Sequence, residues 1–215
     1  MMRDTTTKEK ILKDVRDALI SKKEIPFKNV NFSNPIFQDL TDEKTIVFAR
    51  KLIEMGGTFV YCENEKRLLE NLRILLEKRK WKNYFTLDEK IRVLLEAGQI
   101  PSDNDPKNFN SLYAGITRCE YLIARFGSVM VSSGLNTGRR MFVFPEVHIV
   151  IASASQVVED LKDAFSGIRN KYPNEIPSQM TVITGPSRTA DIEKTLVRGA
   201  HGPRELFVFL IDDQE

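Results

Sequence analysis

Apolar residues recur along this chain at two spacings, and the switch between them marks its elements. Ile11, Leu12, Val15, Ala18 and Leu19 follow a Thr6-x-x-Glu9 capping box at helical spacing. They predict an amphipathic N-terminal helix ending near Ser21. The same period predicts a helix from about Thr41 to Met55, closed by Gly56-Gly57, and another capped by Asn64 with Leu68, Leu69, Leu72, Leu75 and Leu76 on one face. Glu89–Ala97 and Ser155–Tyr172 also carry it, the latter through Val157, Val158, Leu161, Ala164, Phe165 and Ile168. Thr58–Cys62, Val147–Ala152, Val182–Ile183 and Leu206–Ile211 are short apolar runs. The runs without alternation, VHIVIA and LFVFLI, suit strands covered on both faces, as in a parallel sheet. A short strand fits Trp81–Thr86. Tyr121–Arg125 and Ser128–Ser133 read as strands around Phe126-Gly127, although Thr117–Leu122 fits a helical turn equally. The alternation of helix and strand predicts an α/β fold.

Two stretches lack either period. Residues 22–40 carry Pro26, Pro35 and scattered aromatics, and predict an extended connector that packs through Phe27, Phe32 and Phe37. The chain then divides into an N-terminal helix with connector, 1–40, and an α/β domain, 41–215. Residues 98–111 are rich in turn formers and predict a surface loop, either an insertion or a lid.

The segment from Met180 to Asp212 reads as strand, polar loop, helix, second loop, strand. Gly185-Pro186 stops the first strand. Thr189 is placed to cap a helix that carries Asp191 and Glu193 in its first turn, and Arg198 with Gly199 ends it. Two strands joined through a helix imply a right-handed parallel crossover, with Val182–Thr184 and Leu206–Ile211 as neighbours or near neighbours in one sheet. The loops then place Gly185, Ser187, Arg188, Thr189, His201 and Arg204 around that helix, at the carboxyl end of a parallel strand, where open α/β sheets bind ligands. A helix N-terminus and Arg188 suit a carboxylate or phosphate. The loops lie at opposite ends of the helix, roughly 15 Å apart for ten residues. They share a pocket only if the second folds back or another loop bridges them. Arg188 paired with Asp191 or Glu193, and Arg204 with Glu205 or Asp212, are the structural alternatives. A third polar loop, Ser132–Arg140, ends in a double arginine. Ser132, Ser133, Arg139 and Arg140 there are candidates for an acidic ligand or partner surface, or for a solvated hairpin tip.

Composition narrows the chemistry. The 32 basic and 30 acidic residues give a net charge of +2, with no electrostatic footprint for nucleic acid. No apolar run approaches the ~18 residues of a membrane span, and the first residues lack a signal-peptide core. These features predict a cytoplasmic protein. Cys62 and Cys119 are the only cysteines, so a four-cysteine cluster cannot form within this chain. Both read as small buried residues. With His148 and His201 as the only histidines, no metal-ligand spacing arises. The phosphate-loop, dinucleotide and nucleophile-elbow motifs are absent. No cofactor is expected in this chain, and no recognisable catalytic motif marks it as an enzyme.

GPSRTADIEKTLVRGAHGPRELFVFLID resembles the C-terminal signature of the lactate utilisation protein C family, the LUD domain. Ala114–Gly134 resembles that family's central motif, and FPEVHIVIA, Phe144–Ala152, its following strand. The resemblance covers about half the chain, from Ala114 onward. It implies a three-layer α/β/α fold with a largely parallel sheet, like the NagB/RpiA/CoA-transferase group. It also implies a non-redox accessory role in a system that oxidises L-lactate to pyruvate, beside partner proteins that carry iron–sulfur clusters. The alternative is an enzyme or binding protein for an anionic metabolite of carboxylate, CoA or folate type. Related members often read Ala-Glu-Thr/Ser-Gly where this chain has Ala124-Arg125-Phe126-Gly127. Arg125 cannot act as the carboxylate nucleophile of a CoA transferase.

Overall fold

The computed structural model describes residues 6–20, 37–81, 84–135, 137–189 and 195–213. The chain forms two compact units, Met1–Asp39 and Leu40–Glu215. The described part of the first is helix α1, Thr7–Ile20. Its capping box is formed: the Thr6 N–H donates to Glu9 Oε2 at 2.9 Å, and the Glu9 N–H donates to Thr6 Oγ1 at 3.4 Å. The connector expected at 22–40 falls outside the described residues except for its last four.

In the second unit the chain runs α2 (Lys44–Glu54), β1 (Thr58–Cys62), α3 (Glu65–Arg79), β2 (Tyr84–Phe85), α4 (Glu89–Ala97), β3 (Ala114–Arg118), β4 (Tyr121–Ile123) and β5 (Ser128–Ser132). It continues through β6 (Val147–Ser153), β7 (Val157–Val158), α5 (Leu161–Lys171), β8 (Met180–Ile183), β9 (Arg188–Thr189), β10 (Val197–Arg198) and β11 (Glu205–Ile211). Five strands make an all-parallel sheet in the order β1-β11-β6-β3-β2. A second sheet has the order β7-β4-β5-β8.

The unalternating runs end up as the central strands, because both faces of the parallel sheet are covered. Phe207 and Phe209 of β11 join Ile149 and Ile151 of β6 beneath Leu68, Leu72 and Leu76 of α3 and Ile91 and Leu95 of α4. The alternate residues, Leu206, Val208, Leu210, Val150 and Ala152, meet Val47, Phe48 and Leu52 of α2 and Leu122, Val129 and Val131 of the second sheet. Each of the valine, leucine, isoleucine and phenylalanine side chains, fully buried, contributes about 1.5–3 kcal/mol. Helices on both faces of a mainly parallel sheet give the three-layer α/β/α arrangement. The second sheet shares one layer with α2 and is backed by α5 through Ile123, Met130, Ala164 and Ile168.

Five expectations are corrected. Helix α5 begins at Leu161, not Ser155, because Asp160 caps it in a capping box with Asp163. The β-branched pair Val157-Val158 instead adds a strand beside Leu122 and Ile123 of β4. Thr117–Leu122 is no helical turn: β3 runs to Arg118 and β4 starts at Tyr121. Val182–Ile183 lies in the second sheet, antiparallel to β5, so it forms no parallel crossover with β11. The helix expected over Thr189–Arg198 is a hairpin at both ends, with Thr189 opposite Val197 and Arg188 opposite Arg198. Residues 190–194 lie outside the described part. Finally, the 98–111 loop is tied to the sheet: the Asp103 N–H donates to Tyr84 O and the Thr86 N–H to Asp103 O, each at 3.0 Å. A 3-10 turn, Pro106–Ser111, then seats Phe109 in the core.

Candidate functional site

The carboxyl ends of β2 and β3 are where an α/β sheet usually binds its ligand, because the chain leaves them toward opposite faces. Here that end holds acids already engaged by the protein. Buried Asp88 accepts from Arg118 Nε at 2.7 Å and from the first turn of α4, at the Lys90 N–H. Glu120, just past β3, is fully buried; Oε1 accepts from Ser132 at 2.5 Å and Tyr172 at 2.8 Å, and Oε2 from Lys171 at 2.6 Å. Partial burial disfavours the Lys171 ammonium, but the bond to Glu120 together with the charges of Glu120, Tyr172 and Tyr121 holds it above its usual range, while partial burial and Glu120 raise Tyr172. Asp213 accepts from both the N–H and the Oγ of Ser155, which hold its carboxyl low against the opposing effect of desolvation.

The opposite, amino end of the sheet is different. The Ser187 N–H donates to Pro203 O at 2.8 Å, the Gly199 N–H to Ser187 O at 3.0 Å, and the Arg204 N–H to Glu146 O at 2.8 Å. The GPSRT and HGPRE loops therefore touch directly. The paired strands β9 and β10 stand between them, so the expected ~15 Å gap does not arise. Gly199 adopts φ +79°, and a Cβ on it would stand 2.1 Å from Arg204 Cγ. Only glycine lets the Arg204 stem cross there and bring Nε to Glu146 at 3.0 Å. A cleft of about 480 Å³ opens beside this junction, lined by Arg140, Phe144, Glu146, Gly199, His201 and Gly202 among others. Arg140 stacks its guanidinium over Phe109 at 4.1 Å and Phe144 at 5.3 Å. Stacking uses the faces of the guanidinium and leaves its N–H edges for a ligand. Arg140 is exposed and has no acidic partner among the described residues.

The sequence candidates divide accordingly. Arg140 and His201 meet, beside Gly199 and Gly202, at the amino-end cleft before β11, and not at the carboxyl end of a parallel strand as expected. Arg204 is engaged by Glu146, not by Glu205, which pairs with Arg79, nor by Asp212, which accepts from Tyr61. Ser187 holds the loop junction through its backbone. Gly185 packs against the end of α2, its ideal Cβ position 2.5 Å from Met55 O. Arg188 and Thr189 are strand residues paired with Val197 and Arg198. Arg139 turns away from Arg140 and donates to Ser178 Oγ at 2.6 Å. Ser133 bonds the same Ser178, and Ser132 serves Glu120. Arg125 pairs with Glu159 at 2.6 Å.

Sequence reasoning missed Glu120 and His148 as buried polar groups. Glu120 was visible as an acid set directly before an apolar strand, Tyr121–Ile123; His148 lies within the VHIVIA run with no such flag. His148 Nε2 is 2.8 Å from Thr117 Oγ1, and burial lowers its pKa to about 4. Both cysteines are buried, and desolvation pushes the Cys119 thiol up to about 12.

The LUD domain profile matches residues 46–211. An uncharacterized protein of Neisseria meningitidis is 35% identical over 103 residues, which are 48% of this chain and 44% of that protein. Lactate utilization protein C of Bacillus subtilis is 37% identical over 102 residues, 46% of this chain and 42% of that protein. The matched region thus spans less than half the length of either curated relative. A crystal structure of a DUF162 family protein from Deinococcus radiodurans superimposes with a TM-score of 0.56 at 16% identity, covering 78% of this chain and 96% of that one. At that identity the likeness concerns the fold.

Proposed function

Because the chain belongs to the LUD domain family, we propose that it is a non-redox component of a lactate utilisation system, and that its amino-end cleft takes a small carboxylate. The name of the Bacillus relative supports the pathway. Two isolated, buried cysteines support the division of labour, with cluster-borne electron transfer left to iron–sulfur partners. The observation that carries the binding role is Arg140: an exposed guanidinium, pre-oriented by two aromatic rings, at the rim of a cleft that also holds His201. A planar fork of N–H donors suits a carboxylate.

The test is a thermal-shift and calorimetric titration with L-lactate and pyruvate. At least one stabilises the wild-type chain, and Arg140→Gln loses that stabilisation with little change in its own melting temperature. Equal stabilisation of wild type and variant removes Arg140 from the site. In parallel, the purified chain alone reduces no artificial electron acceptor on addition of lactate. A stoichiometric flavin or cluster spectrum that bleaches with lactate overturns the non-redox role.

A further inference from the structure

Arg140 lines a second cavity besides the cleft described above. This hollow, about 190 Å³, is walled by Phe85, Leu87, Phe109 and Met141, with Gly138, Arg139 and Arg140 completing it. Phe85, Phe109 and Met141, with Leu112, form a small apolar cluster apart from the two main cores. Gly138 keeps one side open, since a Cβ there would stand 3.2 Å from Leu87 Cδ1. A lone arginine on an apolar hollow has two ordinary explanations: it covers the hollow with its own stem, or an acid neutralises it. The packing of Arg140 over the adjoining rings of Phe109 and Phe144 fixes its position, and no acid among the described residues pairs with it. Arg139 also lines the hollow, but its guanidinium turns away to Ser178. The result is an apolar chamber with Arg140 at its rim, joined through that residue to the polar cleft that holds His201.

A three-carbon acid does not use such a chamber. At ~30 Å³ per water-sized group, 190 Å³ accommodates about six such groups. We infer that the site accepts an amphiphilic monocarboxylate, with its carboxylate on Arg140 and a short apolar body of about four to six carbon atoms in the hollow between Phe85, Leu87, Phe109 and Met141. This deepens the carboxylate-binding reading above and rests on it for the placement of the charge. The apolar walls supply affinity that grows with buried methylene groups, and the arginine sets the orientation.

The experiment is a calorimetric series of acetate, butyrate, hexanoate and decanoate on the full chain, with lactate and pyruvate beside them. Affinity rises about fourfold per methylene as far as hexanoate and then levels off, the ratio expected for about 0.8 kcal/mol per buried CH₂. Leu87→Asn, at a half-exposed rim position, flattens the chain-length gain. Arg140→Gln weakens every member of the series. An affinity independent of chain length, or a chain-length gain untouched by Leu87→Asn, overturns the hollow and leaves the small-carboxylate cleft standing. Hexanoate binding that survives Arg140→Gln overturns both. Binding of hexanoate through Arg140 with none of lactate or pyruvate upholds the amphiphilic ligand and overturns the lactate-sized one.

Discussion

His148 is the second residue of β6 and has no exposure to solvent, and its ring bonds Thr117 across to β3. Burial disfavours the imidazolium, so the folded-state pKa falls to about 4 from the ordinary 6.5. The unfolded chain therefore binds more protons between those values. Its contribution to stability is complete above pH 6.5 and is lost as the pH falls through that window toward 4. A shift of this size corresponds to about 3 kcal/mol. Urea unfolding at pH 7, 5 and 4 is expected to show that loss in wild type and a clearly smaller one in His148→Gln. Equal slopes for the two proteins would remove the histidine from the acid response. At this scale the sequence disclosed residue types more readily than their partners. Arg140 was legible as a cation in a polar loop. That Arg139 beside it would reach Ser178 depended on a turn whose direction no periodicity encodes. Glu146, which holds Arg204, comes from a segment 58 positions earlier, and only the parallel register of β6 and β11 places them together.

At the scale of elements, strong local signals survived and tertiary pairing overrode weak ones. Asn64 caps α3 by accepting from the Arg67 N–H, and Glu89–Ala97 is a helix end to end, because cap and periodicity agree there. Residues 155–160 carried helical spacing too, yet Val157 and Val158 pair with β4. Likewise Arg188-Thr189 and Val197-Arg198 look like helix termini but pair with each other. The packing of α2 gives an element-scale prediction. Gly127 has φ +60°, and a Cβ on it would lie 2.2 Å from Leu52 N and 2.4 Å from Lys51 C, both backbone atoms of α2. Helix α2 and the Ala124–Gly127 turn therefore touch backbone to backbone. Gly127→Ala adds left-handed strain of ~1–2 kcal/mol to overpacking of ~1–3 kcal/mol. A loss of about 3 kcal/mol in urea unfolding is expected. A loss below about 0.5 kcal/mol would show that the helix does not seat as described.

Across the whole molecule, the fold class was written in the alternation of apolar runs and helices, whereas the site was legible only as loops. Their placement at the amino end of β11 follows from β8 joining the second sheet, and nothing in MTVIT distinguishes a strand of one sheet from a strand of the other. The two cysteines belong to this scale because they report on the core. Cys62 ends β1 and Cys119 follows β3, both buried, and desolvation raises each thiol. A thiolate-specific reagent at pH 8 is expected to label neither in the native protein and both once denaturant unfolds it. Fast labelling of either under native conditions would place that thiol at the surface.

The position of β11 has a further consequence, in the order of synthesis. It follows every other strand of the parallel sheet along the chain, yet it lies between β1 and β6. Until it leaves the ribosome, those two strands have no partner on their facing sides, and their backbone groups stand open to any extended segment nearby. The apolar faces that Phe207, Val208 and Phe209 will cover stay uncovered for the same interval. Until then the nascent chain holds a lone strand, β1, and a three-stranded fragment, β6-β3-β2, awaiting a wedge. It is in that interval that a chaperone has most to protect.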